Sequence, residues 1–165
     1  MKSSSGIIVA DESPLIGLAK CGQLRLLTQM FEAVHIPQQI VQEVTALRKP
    51  LASEIKLFIK QHAVVEAERH NELSERLKRR LDSGEIQALC CALDLKCPVL
   101  IDERKGRLIA QANGIRIMGT LGLLLISKRE GYLERIAPLI EQLRQHGYFL
   151  GDELIAQVLQ LAGES

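Results

Sequence analysis

Four carboxylates in this sequence occupy places where an acid needs a reason: Asp11, Glu43, Glu85 and Asp102. Asp11 ends a continuous run of small and β-branched residues, Gly6-Ile7-Ile8-Val9-Ala10, the pattern of a strand buried on both faces. Asp102 ends a second such run, Pro98-Val99-Leu100-Ile101. Ligands of open α/β sheets bind outside the carboxyl ends of the strands, so these two acids are directed to one shared edge. Glu43 falls three residues after Ile40 and four before Leu47, inside the apolar stripe of its helix rather than opposite it. A carboxylate there faces a cation, a metal or a cleft, or else sits at an edge and reaches water. Glu85 follows Asp82 at the spacing of a capping box, and from spacing alone a helix start explains it better than a site does. Asp11 and Asp102 have the same alternative as helix caps. Glu103 adjoins Asp102 and either joins the site or points to solvent.

Carboxylates gathered without His or Cys partners suit a hard divalent cation, Mg2+ or Mn2+. Such an ion lowers the pKa of a bound water and neutralises charge on a phosphodiester. The histidines, His35, His62, His70 and His146, are scattered without ligand spacing, which argues against zinc.

The elements that must position these acids alternate in type. Strands are expected over 6–10, 33–36, 63–65, 98–101 and 115–118, with helices over 13–20, 23–31, 37–47, 51–61, 70–81, 82–95, 104–113, 119–129, 134–146 and 151–162. That alternation implies right-handed crossovers and an α/β fold with a mostly parallel sheet of about five strands, helices covering both faces. No linker, repeat or low-complexity segment interrupts it, and residues 6–162 read as one domain.

Composition narrows the function classes. At 165 residues, 47% apolar and 25% charged, the chain can bury a real core and is not of the disordered class. A net charge of +1 gives no global field for an anionic partner, so local patches or metal would have to hold one. Three stretches supply such patches: Lys78-Arg79-Arg80, Arg104-Lys105-x-Arg107 and Lys128-Arg129. Each has a solvated helix face as its plainer explanation, but the Arg104 group directly follows a site acid. Aromatics are 3% of the chain, with no Trp, so base stacking is not expected as a major theme. Cys21, Cys90, Cys91 and Cys97 form no Cys-x-x-Cys pair and read as reduced thiols. The run after Met1-Lys2-Ser3-Ser4-Ser5 is too short for a signal peptide, and residues 121–126 are too few to span a bilayer. A cytoplasmic protein is expected.

Taken in order, Val9-Ala10-Asp11-Glu12-Ser13-Pro14-Leu15-Ile16, Ile36-Pro37 with Glu43-Val44, Ser83-Gly84-Glu85 with Ala88, Leu100-Ile101-Asp102-Glu103-Arg104 and Gly119-Thr120-Leu121-Gly122 resemble PIN domains. The likeness covers about residues 6–160 and is nearest to an uncharacterised prokaryotic branch related to toxins of the VapC type. It implies a three-layer α/β/α fold and a metal-dependent endoribonuclease for single-stranded RNA, with Asp11, Glu43, Glu85 and Asp102 as the catalytic acids holding Mg2+ or Mn2+. Glu103 shares or takes the fourth role, because relatives often carry Ser or Thr at the strand end and an acid just after. Ser13, Arg104, Lys105, Arg107 and Thr120 fall on the substrate side. An antitoxin protein and a homodimer are the partners the family suggests, with no membrane. The rival is a PIN-like module that binds nucleic acid or protein without cleaving. A phosphoacceptor receiver domain fails because Glu66 and Gly119-Thr120 stand where it needs Asp and Lys, and a haloacid-dehalogenase-like phosphatase fails because Asp11-Glu12-Ser13 lacks Asp-x-Asp.

Overall fold

The computed structural model describes residues 6–165; the reading of 1–5 lies outside the described residues. Five strands form one sheet: β1 (Ile7–Ala10), β2 (Ala33–Pro37), β3 (Ala63–Glu66), β4 (Val99–Leu100) and β5 (Ile117–Met118). All four pairings are parallel, in the order β3-β2-β1-β4-β5. The expected mostly parallel sheet is therefore wholly parallel, in a three-layer α/β/α arrangement. Ile8, Val9 and Ala10 are fully buried, which is why β1 reads as an unbroken apolar run rather than an alternating one. The strand order reverses at β1, leaving a crevice between the ends of β1 and β4. The amide of Asp11 donates to the Leu100 carbonyl across that junction at 3.0 Å.

Ten helices are described: α1 (Glu12–Lys20), α2 (Arg25–Met30), α3 (Gln38–Thr45), α4 (Leu51–His62), α5 (Glu72–Leu77), α6 (Ser83–Leu95), α7 (Arg104–Ala112), α8 (Thr120–Arg129), α9 (Ala137–Gln145) and α10 (Asp152–Leu161). The helix expected over 70–81 is much shorter than its leucine spacing suggested. Asn71 and Ser74 close a capping box that fixes its start, and its buried stripe ends at Leu77. Beyond that, Lys78-Arg79-Arg80 has only exposed side chains and turns instead. A polar helix without a packed face has little to hold it together.

Two of the helices that begin at residues unable to cap them are capped from a distance. The N-cap positions of α8 and α9 are Gly119 and Ile136, and neither side chain can accept a hydrogen bond. Carboxylates from elsewhere in the chain take the role. Asp102 accepts from the Thr120 amide at the start of α8. Glu164 accepts from the amides of Ile136 and Ala137 at 2.9–3.1 Å and pairs with Lys128 at 2.8 Å. Each carboxylate also meets the positive end of the helix dipole. Lys128 is thereby paired with the C-terminal segment, through Glu164 and the Ala162 carbonyl.

Those donors hold the Glu164 carboxyl down at about 2 against an ordinary 4.5. A group with a depressed folded pKa contributes stability above its unfolded value, and that stability is lost as pH falls through the folded one. Glu164→Gln should therefore cost about 1–3 kcal/mol at neutral pH. Urea unfolding should show that difference disappearing as pH falls from about 4.5 toward 2.

Candidate functional site

Asp11 follows β1 directly and occupies the N-cap position of α1, yet its side chain makes no capping hydrogen bond. It is 4% exposed. Burial raises its pKa from an ordinary 3.8 to about 7, opposed by the nearby Glu12 amide and reinforced by Glu85, Asp82 and Glu12. Among the described residues, none of the groups that act on it most strongly is a cation.

Glu43 projects from α3 toward the start of α6. A Cβ added at Gly84 would lie 2.9 Å from both of its carboxylate oxygens, so the missing side chain at Gly84 makes the space that carboxylate fills. Burial pushes Glu43 up to about 8, and Glu12, close enough to share a proton with it, adds to this together with Asp82 and Asp11.

Glu85 lies on the first turn of α6. Asp82 caps the helix by accepting from the Glu85 amide at 2.8 Å. The return contact, between the Glu85 carboxylate and the Asp82 amide, is too loose to close a capping box, though it still draws the Glu85 pKa down. Burial, Asp82 and Glu103 raise that pKa more strongly. The capping expectation thus belongs to Asp82 and leaves the Glu85 carboxylate uncommitted.

Asp102 is placed differently. Its Oδ1 accepts from the Thr120 amide at 2.8 Å, and its Oδ2 accepts from the Thr120 hydroxyl at 2.5 Å and from the Tyr148 hydroxyl. Thr120 is wholly buried. The Tyr148 ring crosses α1 where a Cβ on Gly17 would come within 3.0 Å of it. Asp102 therefore has three donors, while Asp11 and Glu43 are surrounded by acids. Glu103 caps α7 by accepting from the amides of Lys105 and Gly106 at 3.1 and 2.6 Å, and its charge still reaches Glu85.

Three participants were not singled out in the sequence. Glu12 and Asp82 belong to the electrostatic cluster around Asp11 and Glu43. Their signal was present, an acid beside Asp11 and an acid three before Glu85, but each reads first as a helix-start residue. Tyr148 is 46 residues from its partner Asp102, and no local pattern announces such a contact.

Basic side chains flank the acids. Lys78, Arg79, Arg80 and Lys105 line an open groove of about 400 Å³ together with Asp82, Glu85 and Glu103. The turn after α5 is what brings two separate basic stretches to one place. On the other flank a cavity of about 830 Å³ takes in Ser13, Asp102, Arg104 and Arg107. Arg107 is held there by a 2.9 Å bond from its Nη1 to the Ile101 carbonyl. Among the described residues, no three His, Cys, Asp or Glu side chains are close enough to hold a metal ion together. The donor chemistry nevertheless fits a hard cation: carboxylate oxygens raised in pKa by burial and by one another, with no ion-pair partner for Asp11 or Glu43 among the described residues.

The chain thus places acids at the switch point of a parallel sheet, with basic side chains on both flanks. A family model described as the PIN domain matches residues 7–164, and the chain belongs to that family. PIN domains are generally nucleases that use divalent metal ions and bind nucleic acid, and this is the coarse activity the membership carries. The search of curated proteins gave no match. No helix among the described residues is long and apolar enough to cross a membrane.

Proposed function

We propose that this chain is a single-domain, Mg2+- or Mn2+-dependent endoribonuclease acting on single-stranded RNA in the cytoplasm, as the toxin of a toxin–antitoxin pair. One observation carries the reading: a buried carboxylate, Asp11, whose pKa is raised to about 7 by burial and, to a lesser degree, by neighbouring acids, and which has no ion-pair partner among the described residues. An unpaired buried charge is costly, and a divalent ion removes that cost.

In this reading Asp11, Glu43 and Glu85, not close enough to chelate an ion as they stand, would close on it when it binds. When bound it supplies an activated water and charge neutralisation at the scissile phosphate. Glu12 and Asp82 add negative potential around those three. Asp102, with its donors already in place, positions the start of α8 and the Tyr148 loop rather than contributing open oxygens. Lys78, Arg79, Arg80 and Lys105 bind backbone phosphates along the groove, and Arg104 and Arg107 do so on the other flank. Ser13, exposed beside Asp11, faces the incoming strand, and Thr120 acts from within through Asp102. The family's dimer and antitoxin partners belong to the same reading.

The test is cleavage of a mixed single-stranded RNA panel with Mg2+ or Mn2+ and with EDTA, for wild type and Asp11→Asn. Cleavage that requires metal and disappears in the variant supports the proposal. Equal cleavage by both proteins contradicts it.

A second reading, a PIN-like module that binds without cleaving, is favoured by the lack of three converged ligands among the described residues. Gly84→Ala separates the two. Its Cβ would displace the Glu43 carboxylate while changing stability by no more than about 1 kcal/mol. A nuclease should lose about tenfold or more in Mn2+ affinity and cleavage. A binding module should keep its RNA affinity unchanged.

A further inference from the structure

Phe149 stands apart from the other aromatic residues. The chain has three phenylalanines; Phe31 and Phe58 are each 7% exposed, whereas Phe149 is 93% exposed. Its backbone is nevertheless well anchored. The preceding residue, Tyr148, bonds to Asp102 through its hydroxyl and to the Leu143 carbonyl through its amide. The following residue, Leu150, packs against the core with Tyr148. The segment alternates inward, outward, inward, and the outward ring lines the 830 Å³ cavity that also holds Ser13, Asp102, Arg104 and Arg107.

We infer that Phe149 is a stacking platform for a base of single-stranded nucleic acid, in the cavity that Asp102 and Ser13 also line. This rests on the nuclease reading above. Leu121, Leu154 and Leu161 make part of the cavity apolar, and its charged groups are what select the occupant. An aromatic face alone would suit many apolar partners, but guanidinium groups of Arg104 and Arg107 border the same space, with Asp102 and Ser13 joining it to the site. A nucleotide offers the matching pair of features, a flat base for the ring and a phosphate for the arginines. Single-stranded nucleic acid is commonly held in this way, by cationic contacts to the backbone and aromatic faces under the bases. The low aromatic content suggested that stacking would play little part; the structure instead places one exposed ring beside the acids.

Phe149→Trp provides the probe, because the chain has no tryptophan of its own. In an Asp11→Asn background, which spares the RNA, the indole emission should be quenched by a short oligouridylate. An abasic oligomer with the same phosphates should quench it much less. Phe149→Ala should weaken oligouridylate binding by about tenfold, Phe149→Tyr should restore it, and the salt dependence should stay the same because the phosphate contacts remain. The side chain is almost fully exposed, so these variants are expected to fold.

Equal affinity in Phe149→Ala, or equal quenching by the abasic oligomer, would overturn the stacking role while leaving the nuclease reading intact if wild type cleaves RNA. An emission change on raising protein concentration without RNA would overturn it in favour of a second copy of the chain. If wild type neither binds nor cleaves single-stranded RNA, both readings fall.

Discussion

Asp11→Asn should abolish cleavage and, at alkaline pH without metal, make the protein more stable than wild type. The two effects share one cause. Asp11 is buried, and its neighbours Glu85, Asp82 and Glu12 are acids. Its carboxyl is displaced from 3.8 to about 7, corresponding to about 4 kcal/mol at most between its protonated and ionised forms. Because the folded pKa is the higher one, the native state binds the extra proton between these values. Stability is therefore greatest below about 4 and declines as pH rises through about 7. Glu43, raised to about 8, acts in the same direction, while Glu164 acts in the opposite direction below 4.5. The wild-type optimum should thus fall near about pH 4. Asparagine keeps the shape of Asp11 and removes its titration. Thermal unfolding should show the variant gaining most over wild type at about pH 8 and little at about pH 4. Cleavage should fall by about a hundredfold or more, since even the outer partners of a metal site cost about 10–100-fold. A site that is destabilising until it is filled is the usual trade between stability and activity.

Asp102→Ala should have the opposite effect on the fold. Its removal leaves the Thr120 amide, the Thr120 hydroxyl and the Tyr148 hydroxyl without their acceptor. Each buried donor left unmade costs about 1–3 kcal/mol. Water can reach part of the half-buried Tyr148, so a total of about 3 kcal/mol is expected from urea unfolding at neutral pH. The start of α8 loses its cap at the same time, because Gly119 has no side chain to replace it. Asp102→Asn should be milder, since its amide oxygen still accepts one of the three bonds. Read together, the two substitutions sort the strand-end acids by what surrounds them. Asp11 has acids around it and its loss stabilises; Asp102 has donors and its loss destabilises.

The strand-end acids were legible because a parallel sheet writes its buried strands as unbroken apolar runs, so the first acid after each run marks the sheet edge. Glu43 was legible for a related reason: a helix period of 3.6 makes an acid in the buried stripe conspicuous. The difference between Asp11 and Asp102 was not legible. It depends on Thr120 and Tyr148, 18 and 46 residues away in sequence from Asp102, and no local period encodes such contacts. The same holds for Glu164 capping α9, and for Gly84, which reads as a helix-start glycine until Glu43 is found against it. The length of α5 was misjudged because leucines spaced by fours mark a helix only as far as a packing partner continues. Phe149 was invisible for the plainest reason: sequence does not tell which phenylalanine is outside.

The most direct measurement is calorimetric titration of Mn2+ into wild type and Asp11→Asn near neutral pH, without nucleic acid. The central claim is that the acids around Asp11 are an unfilled cation site. It predicts binding by wild type that Asp11→Asn loses although the variant is folded and at least as stable. Equal binding by both proteins, or none by wild type, would contradict it.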